Sequence, residues 1–428
     1  MPQYLSPGVY VEEVPPLSRP IAGVGTSTPG FIGIIPDTIH LPASPVGTDS
    51  DEIKQQGYKY VGYTVKAEAK QAYPITSWGQ YVKLFGDFVG ESSSAAVTTG
   101  NPAVTPSQRH LAHAVYGFFN NGGSSCYVVR ITAGTQLDNA LASLAAIDDI
   151  AMVVAPGLSG ATEYSKLIAH CELLKDRVAI LDSVASDNAF DSGDFSKLES
   201  PATSSTVGRP QNSTYAAFYF PWLQVFDPAT SLIQSASKGD GLVYVPPSGH
   251  IAGIYARTDA TRGVFKAPAN EALQGVTGLK YLLSQADQDS LNDNGVNLIR
   301  PLVGALRVWG GRTVGGDANG EYRYISTRRY FNYLRESIDQ GTQFVVFEPN
   351  SSALWERIKR TVGGFLLREW RAGALFGTTP EKAFFVKCDA DTNPPEVREA
   401  GQVVTEIGVA IVKPAEFVIF RIQQTSGG

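Results

Sequence analysis

Paired histidines, serines near histidine, glycine clusters and a run of arginines are the features of this chain that could carry chemistry. His110 and His113 stand one helical turn apart. On a helix that spacing puts both rings on one face, where they could hold a metal ion. No third ligand lies near and no HExxH occurs, so a structural or surface role is the simpler reading. Gly25 to Pro29 reads GTSTP, which echoes the serine motif of subtilisin-type proteases. A serine nucleophile needs a general base and an orienting carboxylate within hydrogen-bond reach. In those enzymes Asp and His precede the Ser, yet only 26 residues precede Ser27 and none is Asp or His. The segment therefore reads as a loop. Pro246 to His250 (PPSGH) brings Ser248 near a histidine without a GxSxG elbow, and reads as a rigid Pro-led turn. The clusters Gly310-Gly311, Gly315-Gly316 and Gly363-Gly364 form neither a GxxxxGK(S/T) loop nor a GxGxxG turn, so nucleotide binding has no support. Gly310 to Gly316 is expected to be a turn that needs positive φ. No catalytic residue, metal or cofactor is expected.

The arginines are more informative. Residues 351–374 predict a long amphipathic helix, with Leu354, Ile358, Phe365 and Trp370 forming its apolar stripe. Arg357, Lys359, Arg360, Arg368 and Arg371 on that helix are offset only by Glu356 and Glu369. A solvated face is the bland reading. The functional one is a basic face turned to an acidic partner.

Composition narrows the classes. A chain of 428 residues suggests about two or three domains, and 43% hydrophobic residues suffice for sizeable cores. Charged residues are only 18%, which suits a surface packed against copies of itself. The net charge of −6 argues against general affinity for nucleic acid. Cys126, Cys171 and Cys388 are far apart and odd in number, which favours synthesis in a reducing cytoplasm without a disulfide framework. No secretory signal is read between Met1 and Val14, and no apolar stretch approaches membrane-spanning length, so membrane insertion is not expected.

The elements that must position these residues follow from their periodicity. Phe31 to Ile35 predicts a buried strand, and helices are expected over 75–88 and 109–120. Cys126–Ile131, Ile150–Ala155 and Val178–Leu181 read as strands alternating with helices over 137–147 and 163–175. Such alternation indicates right-handed βαβ units and a mainly parallel sheet. An aromatic-rich strand and turn follow at 215–225, then a strand at 298–309, a helix at 326–340 and strands at 344–347, 383–387 and 403–412. Segments 37–74 and 183–214 read as loop insertions, the first with Tyr58, Tyr60, Tyr63 and Val65 suggesting a small hairpin or edge strand.

Each end of the chain carries a short apolar strand. Near the start it comprises Val9, Tyr10, Val11, Glu12, Glu13 and Val14, and it is followed by Pro15, Pro16 and Pro20. Near the end it comprises Phe417, Val418, Ile419, Phe420, Arg421 and Ile422, and it is preceded by Lys413-Pro414. A lone strand leaves its backbone groups unpaired. These strands either pair within their own subunit or add to sheets of neighbouring copies, and spacing leaves both open.

The chain resembles phage-type contractile tail sheath proteins. YLSPGVYVEEV (4–14) is similar to the family's N-terminal signature, and PPSGHIAGIYARTDATRGVFKAPAN (246–270) to its central one. RVWGGRT (307–313), YISTRRYFNYLRESI (324–338), FEPN (347–350) and LWERIKRTVGGFLLREWRAGALFG (354–377) resemble its C-terminal part. Segments 37–74 and 183–214 match no pattern of the family. The resemblance implies an α/β protein: a mixed α+β core domain facing an inner tube, with an inserted outer α/β domain of subtilisin-like fold. It implies residues 1–27 as an N-terminal arm joining the core, 28–297 as the insertion, 298–414 as the C-terminal core and 415–428 as a C-terminal arm. It implies hexameric rings stacked around the inner tube protein, with terminal arms exchanging strands between copies. Baseplate and tail-terminator or cap proteins are the further partners it implies, without direct nucleic acid contact. The particle would be a phage tail or a phage-like injection machine. The basic helix is then expected to face the tube. A hydrolase built on Ser27 or Ser248, which would need a nearby His and carboxylate, and a capsid-like protein forming shells rather than tubes are the rivals.

Overall fold

The computed structural model describes residues 20–43, 59–90, 106–184, 190, 192–234 and 240–419. Two compact units divide the chain. One comprises 24–334 with 413–428, the other 1–23 with 335–412.

The larger unit is built on a nine-stranded sheet. In chain order the strands of this unit are β1 (Pro29–Ile34), β2 (Thr38–Ala43), β3 (Lys59–Thr64), β4 (Ala72–Ile75), β5 (Cys126–Ile131), β6 (Met152–Val154), β7 (Val178–Asp182), β8 (Ala216–Phe220), β9 (Leu223–Phe226), β10 (Leu242–Val245), β11 (Glu271–Ala272), β12 (Gly278–Leu279), β13 (Val296–Leu302) and β14 (Ala305–Val308). The main sheet runs β11-β14-β13-β8-β7-β6-β1-β5-β4. From β13 across to β5 neighbouring strands are parallel, and β4, β14 and β11 close the two sides antiparallel. The expected βαβ alternation is therefore present, and the 298–309 segment is a hairpin that completes this sheet.

Every residue of β6, β7 and β8 is buried, as parallel strands covered on both faces must be. Alternate side chains enter two separate cores: Phe31, Val128 and Ile180 one, Ile32, Val129 and Leu181 the other. Helices Pro106–Asn120 and Ser248–Arg262 cover the first face, and Leu137–Ala145 and Ala161–Leu174 the second. The first two helices press together where side chains are absent. A Cβ on Gly249 would lie 2.3 Å from the Ala114 Cα, and one on Gly253 would lie 2.5 Å from the Phe118 carbonyl oxygen.

Several local expectations are corrected. Pro246–His250 is not only a turn, because a helix starts at Ser248, where Pro247 leads in with φ already helical. Residues 344–347 are not a strand. Phe344 and Val345 lie in a 3₁₀ turn, Gln343–Val345, between two helices, Val346 and Phe347 follow it, and no ladder pairs them among the described residues. Within Gly310 to Gly316, positive φ is confined to Gly315 and Gly316. The 37–74 insertion, by contrast, contains the antiparallel pair β2–β3, the small hairpin that its tyrosines suggest. Segment 183–214 holds a short 3₁₀ helix, Ser196–Glu199, and a bridge between Pro201 and Arg209.

In the smaller unit, the helix Ser352–Arg371 buries Leu354, Ile358 and Phe365 as expected, with Ser351 capping its N-terminus. Trp370 is half-buried and its indole N–H donates to the Gly377 carbonyl at 2.9 Å. Ile21 packs where Gly341 has no side chain, and its carbonyl accepts from the Arg368 guanidinium. Strands β15 (Phe384–Lys387) and β16 (Glu406–Val409) form a two-stranded antiparallel sheet.

Candidate functional site

The chemistry suggested by single residues dissolves in the folded chain. His110 and His113 lie on one helix but turn to different partners. The His110 ring meets the Trp222 ring edge-on, with centroids 4.9 Å apart, while His113 Nε2 lies 3.5 Å from Asp227 Oδ2. Burial drives His110 down to about 3, helped by Arg109 and His113, so it stays neutral. No group of three potential metal ligands gathers among the described residues. Ser27 sits in a segment that Thr26 ties down, through its hydroxyl to Asp259 Oδ2 at 2.6 Å. Arg329 joins that knot, donating to Asp259 and to the Thr26 carbonyl.

Ser248 is spoken for as well. Its backbone N–H donates to Asp182 Oδ1 at 2.7 Å and its hydroxyl to Oδ2 at 2.6 Å. A helix N-terminus beside the C-terminal end of a parallel sheet is a ready anion site. Here the protein's own carboxylate, from the end of β7, takes that place. Burial pushes Asp182 up to about 7 against the pull of bonds from Ser248 and Gly157. His250 is buried beneath Gly117, and burial drives it down to about 3. A hydrolase reading based on Ser248 therefore has a serine held by a capping carboxylate and a histidine sealed in the core.

The arms and the basic helix remain. Val9 to Val14, and Phe420, Arg421 and Ile422, lie outside the described residues. Phe417, Val418 and Ile419 form no strand in the chain alone and are 70%, 67% and 79% exposed. Just before them Glu416 meets Arg312, with Nε to Oε1 and Nη2 to Oε2 both 2.9 Å. Sequence reasoning missed this pair. The only signal was a carboxylate at the foot of an apolar strand, and nothing local names its partner 104 residues away.

At 3.6 residues per turn, Arg357, Arg360, Gly364, Arg368 and Arg371 share one stripe about 80° wide, and Lys359 falls outside it. Lys359 pairs instead with Glu356 at 2.5 Å. The Arg357 guanidinium lies 4.3 Å from the Phe344 ring centroid, and Arg368 serves the Ile21 carbonyl. Arg360 and Arg371 are exposed and make no ion pair among the described residues. Neither Gly363 nor Gly364 has anything within 4 Å of where a Cβ would sit, so the helix backbone lies open between the arginines.

Comparison with known proteins decides the family. Residues 133–314 match the phage tail sheath protein central domain, and residues 317–425 match the phage tail sheath C-terminal domain. The chain belongs to the phage tail sheath family. It is 25% identical to the tail sheath protein of Burkholderia phage BcepMu, over 98% of this chain and 96% of that protein. A chain of the anti-feeding prophage baseplate matches at 28% identity and a TM-score of 0.70, covering 99% of this chain and 100% of that one. A chain of an extracellular contractile injection system, the PVC sheath complex in its contracted state, matches at 27% identity and a TM-score of 0.70, covering 99% of both. The protein is thus a structural sheath subunit of the phage-tail and contractile-injection kind, and its relatives are structural proteins. No helix among the described residues is long and apolar enough to cross a membrane.

Proposed function

We propose that this sheath subunit polymerises as stacked hexameric rings around an inner tube and shortens by rigid-body rearrangement of its subunits. Its terminal arms donate strands to neighbouring copies. The observation that carries this reading is the run Phe417 to Ile419, apolar, exposed and outside any strand among the described residues. An exposed apolar segment of that kind calls for an edge to join. The two-stranded sheet β15–β16 is a fitting acceptor. Two strands alone are marginal, and Phe385 on it is 58% exposed. Residues 1–27 and 415–428 are then the arms, and the tube-facing core expected over 298–414 narrows to 335–412, because β13 and β14 belong to the main sheet of the outer insertion of subtilisin-like fold. The arginine stripe supports an acidic partner, the tube, with Arg360 and Arg371 its free charges, Arg357 and Arg368 shaping its flanks and Lys359 beside it. Baseplate and terminator proteins would cap the ends of the stack, and the particle is a phage tail or a phage-like injection machine.

Negative-stain electron microscopy of the subunit expressed alone and with its tube protein tests this. Ribbed hollow cylinders, wider and of shorter pitch without the tube, are expected. Monodisperse particles under both conditions would remove the assembly reading.

A further inference from the structure

Within 413–419, Glu416 holds a dense set of bonds to the body among the described residues. Besides the two from Arg312, it accepts from Asn292 Nδ2 at 2.9 Å and from the Tyr324 hydroxyl at 3.0 Å. Arg312 itself is 2% exposed. Its backbone N–H donates to Asn297 Oδ1 at 2.7 Å, and Asn297 Nδ2 in turn donates to the carbonyls of Arg312 and Phe218. Asn297 belongs to β13 and Phe218 to β8, so the Arg312 backbone is bolted to two strands of the main sheet. Within two residues the chain changes from this four-bond seat to apolar side chains in open solvent.

We propose that Glu416 is the root clasp of the C-terminal arm. By gripping Arg312 it fixes the point at which the arm leaves the 24–334 body, and so aims Phe417, Val418 and Ile419 outward toward a second copy of this chain. The purpose of the clasp rests on the strand-exchange reading, whereas the clasp itself does not. A bidentate Arg–carboxylate pair fixes direction as well as distance, which a proline tether at Pro414 cannot do. The pivot of the arm therefore lies beyond Glu416 rather than at Pro414. Arg312 also meets Asp317 Oδ1 at 2.9 Å and Asp293 Oδ1 at 3.4 Å. Loss of Glu416 would thus leave the buried guanidinium paired, so the body keeps its fold when the arm is let go.

The test compares wild type, Glu416→Ala and Glu416→Gln in the purified full-length subunit before assembly, by hydrogen exchange and thermal melting. In Glu416→Ala, amides of 413–419 should exchange about tenfold faster or more, the loss expected when bonds to a charged group are removed. The melting temperature should hold, and Glu416→Gln should fall between the two. Unchanged exchange at 413–419 overturns the clasp. Faster exchange throughout the chain also overturns it, because Glu416 would then serve the whole fold and not the arm. Truncation after Pro414, scored by electron microscopy, separates the two ideas. Long cylinders from the truncated chain would end the strand-exchange reading, while the hydrogen-exchange result would still decide the clasp.

Discussion

Asp182 and Glu416 are two carboxylates seated in the same unit, and their surroundings pull them in opposite directions. Asp182 is sealed at the end of β7 and, among the described residues, receives neutral donors from Ser248 and Gly157. Burial therefore wins and its carboxyl rises to about 7. Burial also pushes Glu416 up, but bonds from Arg312 and Asn292 outweigh it and its carboxyl ends below the ordinary value. Desolvation favours the neutral acid, whereas a bound guanidinium favours the anion. The first arrangement suits a frame that never opens. The second suits a joint, since charge-assisted bonds are directional and strong while the pair keeps one edge toward water.

The largest effect that would break this contrast concerns Asp182. Between its ordinary value and about 7 the folded chain keeps a proton that the unfolded chain gives up. Stability from this group is therefore greatest below about pH 4 and falls as pH rises toward 7, by on the order of 3 to 4 kcal/mol. Asp182→Asn should flatten that slope in denaturant titrations at several pH values, and an unchanged slope would show that Asp182 titrates normally. Next comes the frame's packing. Gly249→Ala drives a methyl into the Ala114 backbone and should cost about 2 to 3 kcal/mol in urea unfolding. At the joint the effect is smaller and of opposite sign in pH. Glu416 stabilises above its ordinary value and loses that contribution as pH falls through its lowered one. Global stability should move by less than about 1 kcal/mol, while amide exchange at 413–419 should accelerate in acid. Smallest of all, Arg360→Glu with Arg371→Glu should alter unfolding by within about 0.5 kcal/mol yet abolish co-assembly with the tube, as read by sedimentation. Normal extended particles from that double variant would remove the basic stripe from the tube interface.

Much of the frame was legible along the chain. The alternation of β-branched runs with helical periods announced the parallel sheet, and the stripe of Leu354, Ile358 and Phe365 announced the long helix. Segment 344–347 misled because Phe-Val-Val-Phe has strand composition, while strandhood depends on a neighbour that the fold does not supply there. Lys359 was grouped with the arginines by proximity in sequence, yet helical phase sends it elsewhere. The family itself was carried by short blocks of sequence in a fixed order.

What the sequence determined by itself was local: period, turn chemistry, and the absence of any ordered catalytic or nucleotide-binding motif. Only the tertiary structure decided which polar groups meet. Asp182 with Ser248 and Arg312 with Glu416 are 66 and 104 residues apart. Backbone periodicity acts within a few residues. A polar contact instead depends on distance and burial in three dimensions, which exist only once the sheet has brought its strands side by side.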